Sequence, residues 1–336
     1  MKEAMYYKKL EEKKVQCILC PRECIILDGN RGNCGTRLNK DGRLFSLVYG
    51  KPCTANLDPI EKKPLFHFLP GTTAYSIATA GCNLHCKFCQ NAEISQAKPE
   101  EVLSLDLPPK AVVESAISNS CKSIAYTYTD PIVLYEYTLD TAKLAKKRGL
   151  KNVIVSNGFI NKEPLLEWCK YLDAANIDLK SISDDFYRKI TGAWLKPVLE
   201  TIKTLHEKRV WLELTNLIIP GYNDSLEEIK KLIAWVKDNV GLDVPLHFTA
   251  FYPCYKMLDV QPTPLDILVK ARKLAMQAGL HYVYTGNLPD EEGLTTFCPK
   301  CKKALIKRQG FFGISENNIV KGRCKFCKEK IAGVWE

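Results

Sequence analysis

Residues 74–91 read AYSIATAGCNLHCKFCQN. The alternating, partly β-branched AYSIAT at 74–79 predicts a strand. That strand leads directly into a loop carrying Cys82, Cys86 and Cys89 at C-x3-C-x2-C spacing. A chemically loaded loop immediately after a strand predicts an α/β architecture in which strands end at a common site.

The chain beyond the loop supports that architecture. Strands are predicted at KSIAYTY (122–128), NVIVSNG, AANIDLK, RVWLELTNLII, PLHFTAF and HYVYTG. Between them lie helical patterns. These are IVLYEYTLDTAKLAKKRG (132–149), EPLLEWCKYL, LKPVLETIKTLHEK, SLEEIKKLIAWVKDNV and PLDILVKARKLAMQAGL. Repeated βα units imply a parallel sheet flanked by helices. Six or seven strands favour a partial (βα)6 barrel over a full eight-unit one, with chemistry at the C-terminal strand ends.

Three thiolates are one short of a closed zinc site, which His85 would have to complete. The stronger reading is a 4Fe–4S cluster held by Cys82, Cys86 and Cys89. Such a cluster leaves one iron free for the amino and carboxylate groups of S-adenosylmethionine. An electron then splits the sulfonium to methionine and a 5′-deoxyadenosyl radical.

The chain has 15 cysteines among its 336 residues. The N-terminal MKEAMYYKKLEEKK has no apolar stretch of a secretory signal, and no run approaches a membrane span, so a cytoplasmic protein is expected. In that setting metal chemistry outranks disulfides. Cys298, Cys301, Cys324 and Cys327 form two C-x2-C knuckles suited to one zinc, or to iron of the rubredoxin kind, in a zinc-ribbon-like module. So small a module needs the metal for stability. Cys17, Cys20, Cys24 and Cys34 suit zinc or an auxiliary iron–sulfur cluster. Zinc is slightly preferred there, because nothing in the sequence demands electron transfer. The expected organisation is an N-terminal Cys-rich region (1–70), the barrel (71–290) and the C-terminal module (291–336).

The net charge is +10, which admits an acidic or nucleic-acid partner, although lysines coating the surface of a soluble protein are the preferred explanation. No basic run is interleaved with aromatics as in a single-strand binding groove.

Further segments narrow the reading. They are DPIEKKPLFHFLPG (58–71), AYTYTDP (125–131), SNGFI (156–160), NIDLK (176–180), LIIPGYND (217–224), PLHFTAF (245–251), the TP at 263–264 and VYTGN (283–287). With the cysteine loop they resemble the AmmeMemoRadiSam-system enzymes of the radical S-adenosylmethionine superfamily, relatives of pyruvate formate-lyase activating enzyme. The resemblance runs from about Cys17 to near the end of the chain. It implies that Cys82, Cys86 and Cys89 bind the cluster, with Phe88 shielding it. It implies that Tyr128 to Pro131 lies where the methionine amino group binds. Relatives typically carry Asn-Glu-Pro there; Thr129-Asp130-Pro131 departs from that pattern, and its ordinary alternative is to open the next helix. Ser156 and Asn157 end the third strand. Asp178 and Lys180 resemble the Asp-Leu-Lys motif that faces the ribose and the carboxylate, with a surface ion pair as the alternative.

Three further residues are candidates for catalysis. Glu213 alternates with Trp211 and Thr215 on one strand, and an inward carboxylate needs a partner. His247 is a lone histidine in an apolar strand, where a satisfied core residue is the more common outcome. Cys254 lies beside Tyr252 and Tyr255 at a strand end, where a thiol can exchange a hydrogen atom with a radical, although a small buried hydrophobe is the preferred reading. Cys53, Cys121 and Cys169 read as structural, and His67 carries no assigned role.

The implied activity is reductive cleavage of S-adenosylmethionine followed by hydrogen abstraction from a protein or a small molecule. A glycyl-radical protein is the adjacent target. The implied partners are an electron donor such as ferredoxin or flavodoxin, and Memo-like and AMMECR-like proteins. The competing reading is a non-catalytic, zinc-stabilised module that binds nucleic acid or protein, supported by the charge and the two four-cysteine sets.

Overall fold

The computed structural model describes residues 1–310 and 313–336. At its centre lie seven parallel strands in sequential order. They are β1 Thr73–Ala78, β2 Ser123–Tyr126, β3 Lys151–Ser156, β4 Ala174–Asp178, β5 Trp211–Ile218, β6 Leu246–Ala250 and β7 Val283–Gly286. The crossovers are α1 Pro109–Ser118, α2 Tyr135–Lys147, α3 Lys162–Cys169, α4 Leu195–Glu207, α5 Leu226–Val240 and α6 Leu265–Gln277. Six βα units and a closing strand result. The strand Thr54–Pro59 extends the β1 edge antiparallel, so the N-terminal stretch contributes to the main sheet.

β2, β6 and β7 are buried along their whole length, as expected of parallel strands covered on both faces. α4 shows how the helices dock. Leu195, Val198, Ile202 and Leu205 recur at helical spacing and are all buried. α5 begins where the Ser225 side chain accepts from the Glu228 N–H, which satisfies one of the free donors of its first turn.

Two of the helices differ from the sequence reading. α2 starts at Tyr135 rather than 132, because the buried turn after Pro131 precedes it. α1 was not expected, although Val112, Val113 and Ala116 form its buried stripe behind Pro108-Pro109.

Residues before the sheet form two small antiparallel sheets, one of Lys2–Glu3, Arg43–Ser46 and Arg37–Lys40, the other of Tyr7–Lys9, Val15–Cys17 and Ile25–Ile26. After β7, the strands Thr296–Phe297, Ala304–Arg308 and Ile314–Asn317 form a third, followed by a pair at Ile319–Val320 and Arg323–Cys324. The short strands expected between the C-terminal knuckles are therefore present, with residues 311 and 312 of that stretch outside the described residues.

The C-terminal module closes the sheet at the end opposite the cysteine loop. Arg308 donates to the Phe66 and Leu294 carbonyls and to the Thr296 hydroxyl. Leu69 N–H donates to the Val334 carbonyl, and Val334 N–H to the His67 carbonyl. Residues 66–69 are thereby held beneath the N-terminal ends of β5, β6 and β7.

Candidate active site

The loop after β1 is sewn to its surroundings by backbone. His85 N–H donates to Thr191 O, Lys87 N–H to Ile190 O, and Lys256 N–H to Lys87 O. Gly81 has φ of +89°, and a Cβ there would sit 2.6 Å from the Cys34 carbonyl oxygen. Only glycine permits that approach.

Cys82, Cys86 and Cys89 are free thiols. Leu84 N–H points at Cys82 Sγ from 3.4 Å, and Asn157 Nδ2 from 3.8 Å. Ser95 Oγ lies 3.1 Å from Cys89 Sγ. Burial pushes the Cys86 thiol up to about 12 and the Cys82 thiol well above its ordinary value. Burial therefore disfavours bare thiolates at Cys82 and Cys86, a cost that the positive charge of a metal group would offset.

Spacing separates the kinds of metal group. Zinc–sulfur bonds of about 2.3 Å set tetrahedral sulfurs about 3.8 Å apart, whereas a cubane spreads its thiolates to about 6 Å. Among the described residues, the group of three or more ligand atoms all within 4.8 Å of one another is Cys298, Cys301, Cys324 and Cys327. Cys298 and Cys327 sulfurs are 3.5 Å apart, and those of Cys301 and Cys324 3.7 Å. The C-terminal set is thus pre-shaped for one ion. The Cys82–Cys89 loop is wider, and its donor set fits an iron–sulfur cluster. His85 does not join it; its ring nitrogens lie 2.7 Å from Gln96 Oε1 and Asn33 Oδ1.

The ends of β2, β3 and β4 meet beside this loop. Asp130 is buried and accepts from Ile132 N–H, Asn157 N–H and the Ser156 hydroxyl. Burial pushes its carboxyl up to about 6 against those bonds. It ties the end of β2 to the end of β3. Tyr128 turns away from the loop, its hydroxyl donating to Asp58 on the antiparallel edge strand. Asn157 donates to Asn83 Oδ1 at 2.9 Å. Lys180 Nζ lies 2.9 Å from Asp178 Oδ2 and 5.6 Å from the Phe88 ring centroid. Burial works against the Lys180 charge, but Asp178 and Cys86 hold its pKa above the ordinary value.

The three catalytic candidates part company. Cys254 Sγ donates to the Phe88 carbonyl at 3.2 Å, so it lies against the cluster loop. Glu213 and His247 lie at the opposite end of the sheet. Glu213 accepts from Phe66 N–H, His67 N–H, Trp211 Nε1 and His247 Nε2. Burial opposes its charge, yet these donors keep its pKa low.

Sequence reasoning missed Asn83, Ser95 and Arg22. Asn83 Nδ2 donates to the Phe159 carbonyl, and Arg22 donates to the Asn83 and Gly192 carbonyls. Asn83 was visible inside the cysteine motif. Arg22 had no signal, because its partners lie 61 and 170 residues away.

Comparison with known proteins agrees with this geometry. The Radical SAM superfamily matches residues 76–236. An uncharacterised protein of Methanocaldococcus jannaschii is 48% identical over 332 residues, covering 98% of this chain and 99% of its own. The pyruvate formate-lyase-activating enzyme of Clostridium pasteurianum is 26% identical over 162 residues, 47% of this chain and 67% of that enzyme. A radical SAM methyltransferase from Sphaerobacter thermophilus superposes with a TM-score of 0.51 at 12% identity, covering 65% of this chain and 67% of that one. The chain belongs to the radical SAM superfamily and is related to the pyruvate formate-lyase activating enzymes. Membership implies an enzyme with a 4Fe–4S cluster and S-adenosylmethionine. Among the described residues, no helix is long and apolar enough to cross a membrane.

Proposed function

We propose that this chain cleaves S-adenosylmethionine reductively and directs the resulting radical to a hydrogen atom on a protein or small-molecule substrate, in the manner of a glycyl-radical activating enzyme. The observation that carries the reading is the Cys82–Cys86–Cys89 loop. Its thiols are wider apart than one ion bridges, they lie where parallel strands end, and they face Lys180 and Asn157.

Cys82, Cys86 and Cys89 would hold the cluster. With S-adenosylmethionine bound, that cluster supplies the electron that yields methionine and a 5′-deoxyadenosyl radical. Lys180, held charged by Asp178, offers a cation for a carboxylate. Asp178 keeps about a third of its side chain exposed and can accept from ribose hydroxyls. Asp130 fixes the ends of β2 and β3 with all its bonds spent inside the protein, so it acts as a positioning residue. Asn157 links that junction to Asn83 in the cluster loop. Phe88 covers the loop from the β4 side, where Phe186 lies 6.2 Å away between ring centroids, and helps keep water from the reacting atoms. Glu213 and His247 hold the closed end of the sheet, and Cys254 stays a candidate for hydrogen exchange.

The C-terminal set would hold one zinc or iron ion, in a structural role. The +10 charge suits an acidic one-electron donor of the ferredoxin or flavodoxin class. Association with the AmmeMemoRadiSam system and its Memo-like and AMMECR-like proteins rests on the sequence motifs, and a cytoplasmic setting on the composition. The test is anaerobic incubation with S-adenosylmethionine and dithionite. 5′-Deoxyadenosine is expected from the native protein and none from Cys86→Ala, with the loss of the cluster's visible absorption as an independent readout. Equal product from both would remove the assignment.

A further inference from the structure

Cys17, Cys20, Cys24 and Cys34 sit on the other flank of the same loop, outside the site described above. They line one narrow pocket with Leu19, Ile26, Ile132 and Val133. All four are free thiols. Their spacing along the chain, C-x2-C-x3-C-x9-C, contains one C-x2-C step, whereas the C-terminal set has two.

The two four-cysteine sets of this molecule differ in shape. The C-terminal sulfurs close to the edge length of a single-ion tetrahedron. No three of the N-terminal sulfurs come within 4.8 Å of one another. Four thiols that line one pocket, with no three of them within single-ion reach of one another, match a ligand larger than an ion. A Cβ on Gly32 would stand 4.0 Å from both Cys24 Sγ and Cys34 Sγ, so a bare backbone lies between those two ligands.

A second observation is independent of the sulfurs. Arg37 lines the same pocket, is about 1% exposed, and pairs with Glu136 at 2.7 Å. Its Nε is buried without a hydrogen-bond partner. A buried guanidinium N–H left unpaired is costly. A sulfide or thiolate of a cluster is an acceptor that removes the cost. The apolar walls exclude water from the same place.

We infer that Cys17, Cys20, Cys24 and Cys34 hold a second, fully thiolate-ligated 4Fe–4S cluster, seated against the first through the contact of Cys34 with Gly81. Four side-chain ligands leave it no open iron, so it binds no substrate.

The inference is tested by metal content in protein purified without oxygen. About eight sulfide per chain are expected with the eight iron that go with them, beside the single zinc or iron ion of the C-terminal set, which carries no sulfide. The triple variant Cys82→Ala/Cys86→Ala/Cys89→Ala should keep about four of each, and show the electron paramagnetic resonance signal of a reduced cubane. Cys20→Ala/Cys24→Ala should lose that half and keep the other. Native protein with only about four sulfide per chain, or a triple variant free of sulfide, overturns the inference. The native count alone decides the matter if a variant fails to fold. Four iron retained in the triple variant, with no 5′-deoxyadenosine from native protein, would sink the first cluster and leave the second standing.

Discussion

His67 shows how far a residue's role depends on what lies around it. Its Nδ1 donates to the Ala332 carbonyl at 2.6 Å, so a neutral ring must accept from Tyr284 at Nε2. Burial lowers its pKa to about 4, below the unfolded value of about 6.5. The unfolded chain therefore binds the proton first as pH falls. Stability from this group is whole above about pH 6.5 and is lost progressively down to about pH 4, by about 3 kcal/mol. In chemical denaturation at a series of pH values, His67→Gln should show a curve flatter than the native one by that amount across this window. Parallel curves would contradict the buried neutral ring. The sequence singled out Glu213 as a candidate and left His67 without a role, and it could not say that they touch. They are 146 residues apart, and no local pattern encodes a contact at that separation.

At the scale of elements, the loop after β1 is where three parts of the chain meet. Its ligands were legible because they fall within eight residues of one another, directly after a strand. Its packing was not, since Gly81 reads as an ordinary turn glycine. Replacing Gly81 by alanine forces a left-handed backbone on a residue with a Cβ and drives that atom into Cys34 O and Thr36 Cγ2. The expected cost is about 2–4 kcal/mol. It should appear as a lower unfolding midpoint together with iron lost from the loop, whereas Gly149→Ala, with nothing within 4 Å, should keep its iron. A Gly81→Ala protein with native iron content would mean that the N-terminal sheets are not seated on the loop. The helices tell a similar story. α4 and α5 announced themselves by apolar periodicity, while α1, ten residues long, buries only Pro109, Val112, Val113 and Ala116 and offers a shorter stripe.

Across the whole molecule, the two ends of the sheet carry different work. The C-terminal strand ends gather Cys82, Cys86, Cys89, Asn157, Asp178 and Lys180. The opposite end is shut by residues 66–69, Arg308 and the last residues of the chain. The ion proposed for the C-terminal set should therefore stabilise the sheet without touching its chemistry. Cys301→Ser is expected to lower the thermal midpoint by on the order of 10 °C, with the cluster absorption of the folded protein unchanged. Bleached absorption at a native midpoint would refute that division. The sequence by itself determined the order of βα units, the three-thiol loop and the two terminal cysteine sets, because each is written in spacings of a few residues. Only the tertiary structure decided that Asp130 is spent on the strand junction, that Glu213 and His247 close the far end, and that one four-cysteine set converges while the other spreads. Those outcomes depend on distances between segments far apart along the chain, and such distances exist only once the core has brought the segments together.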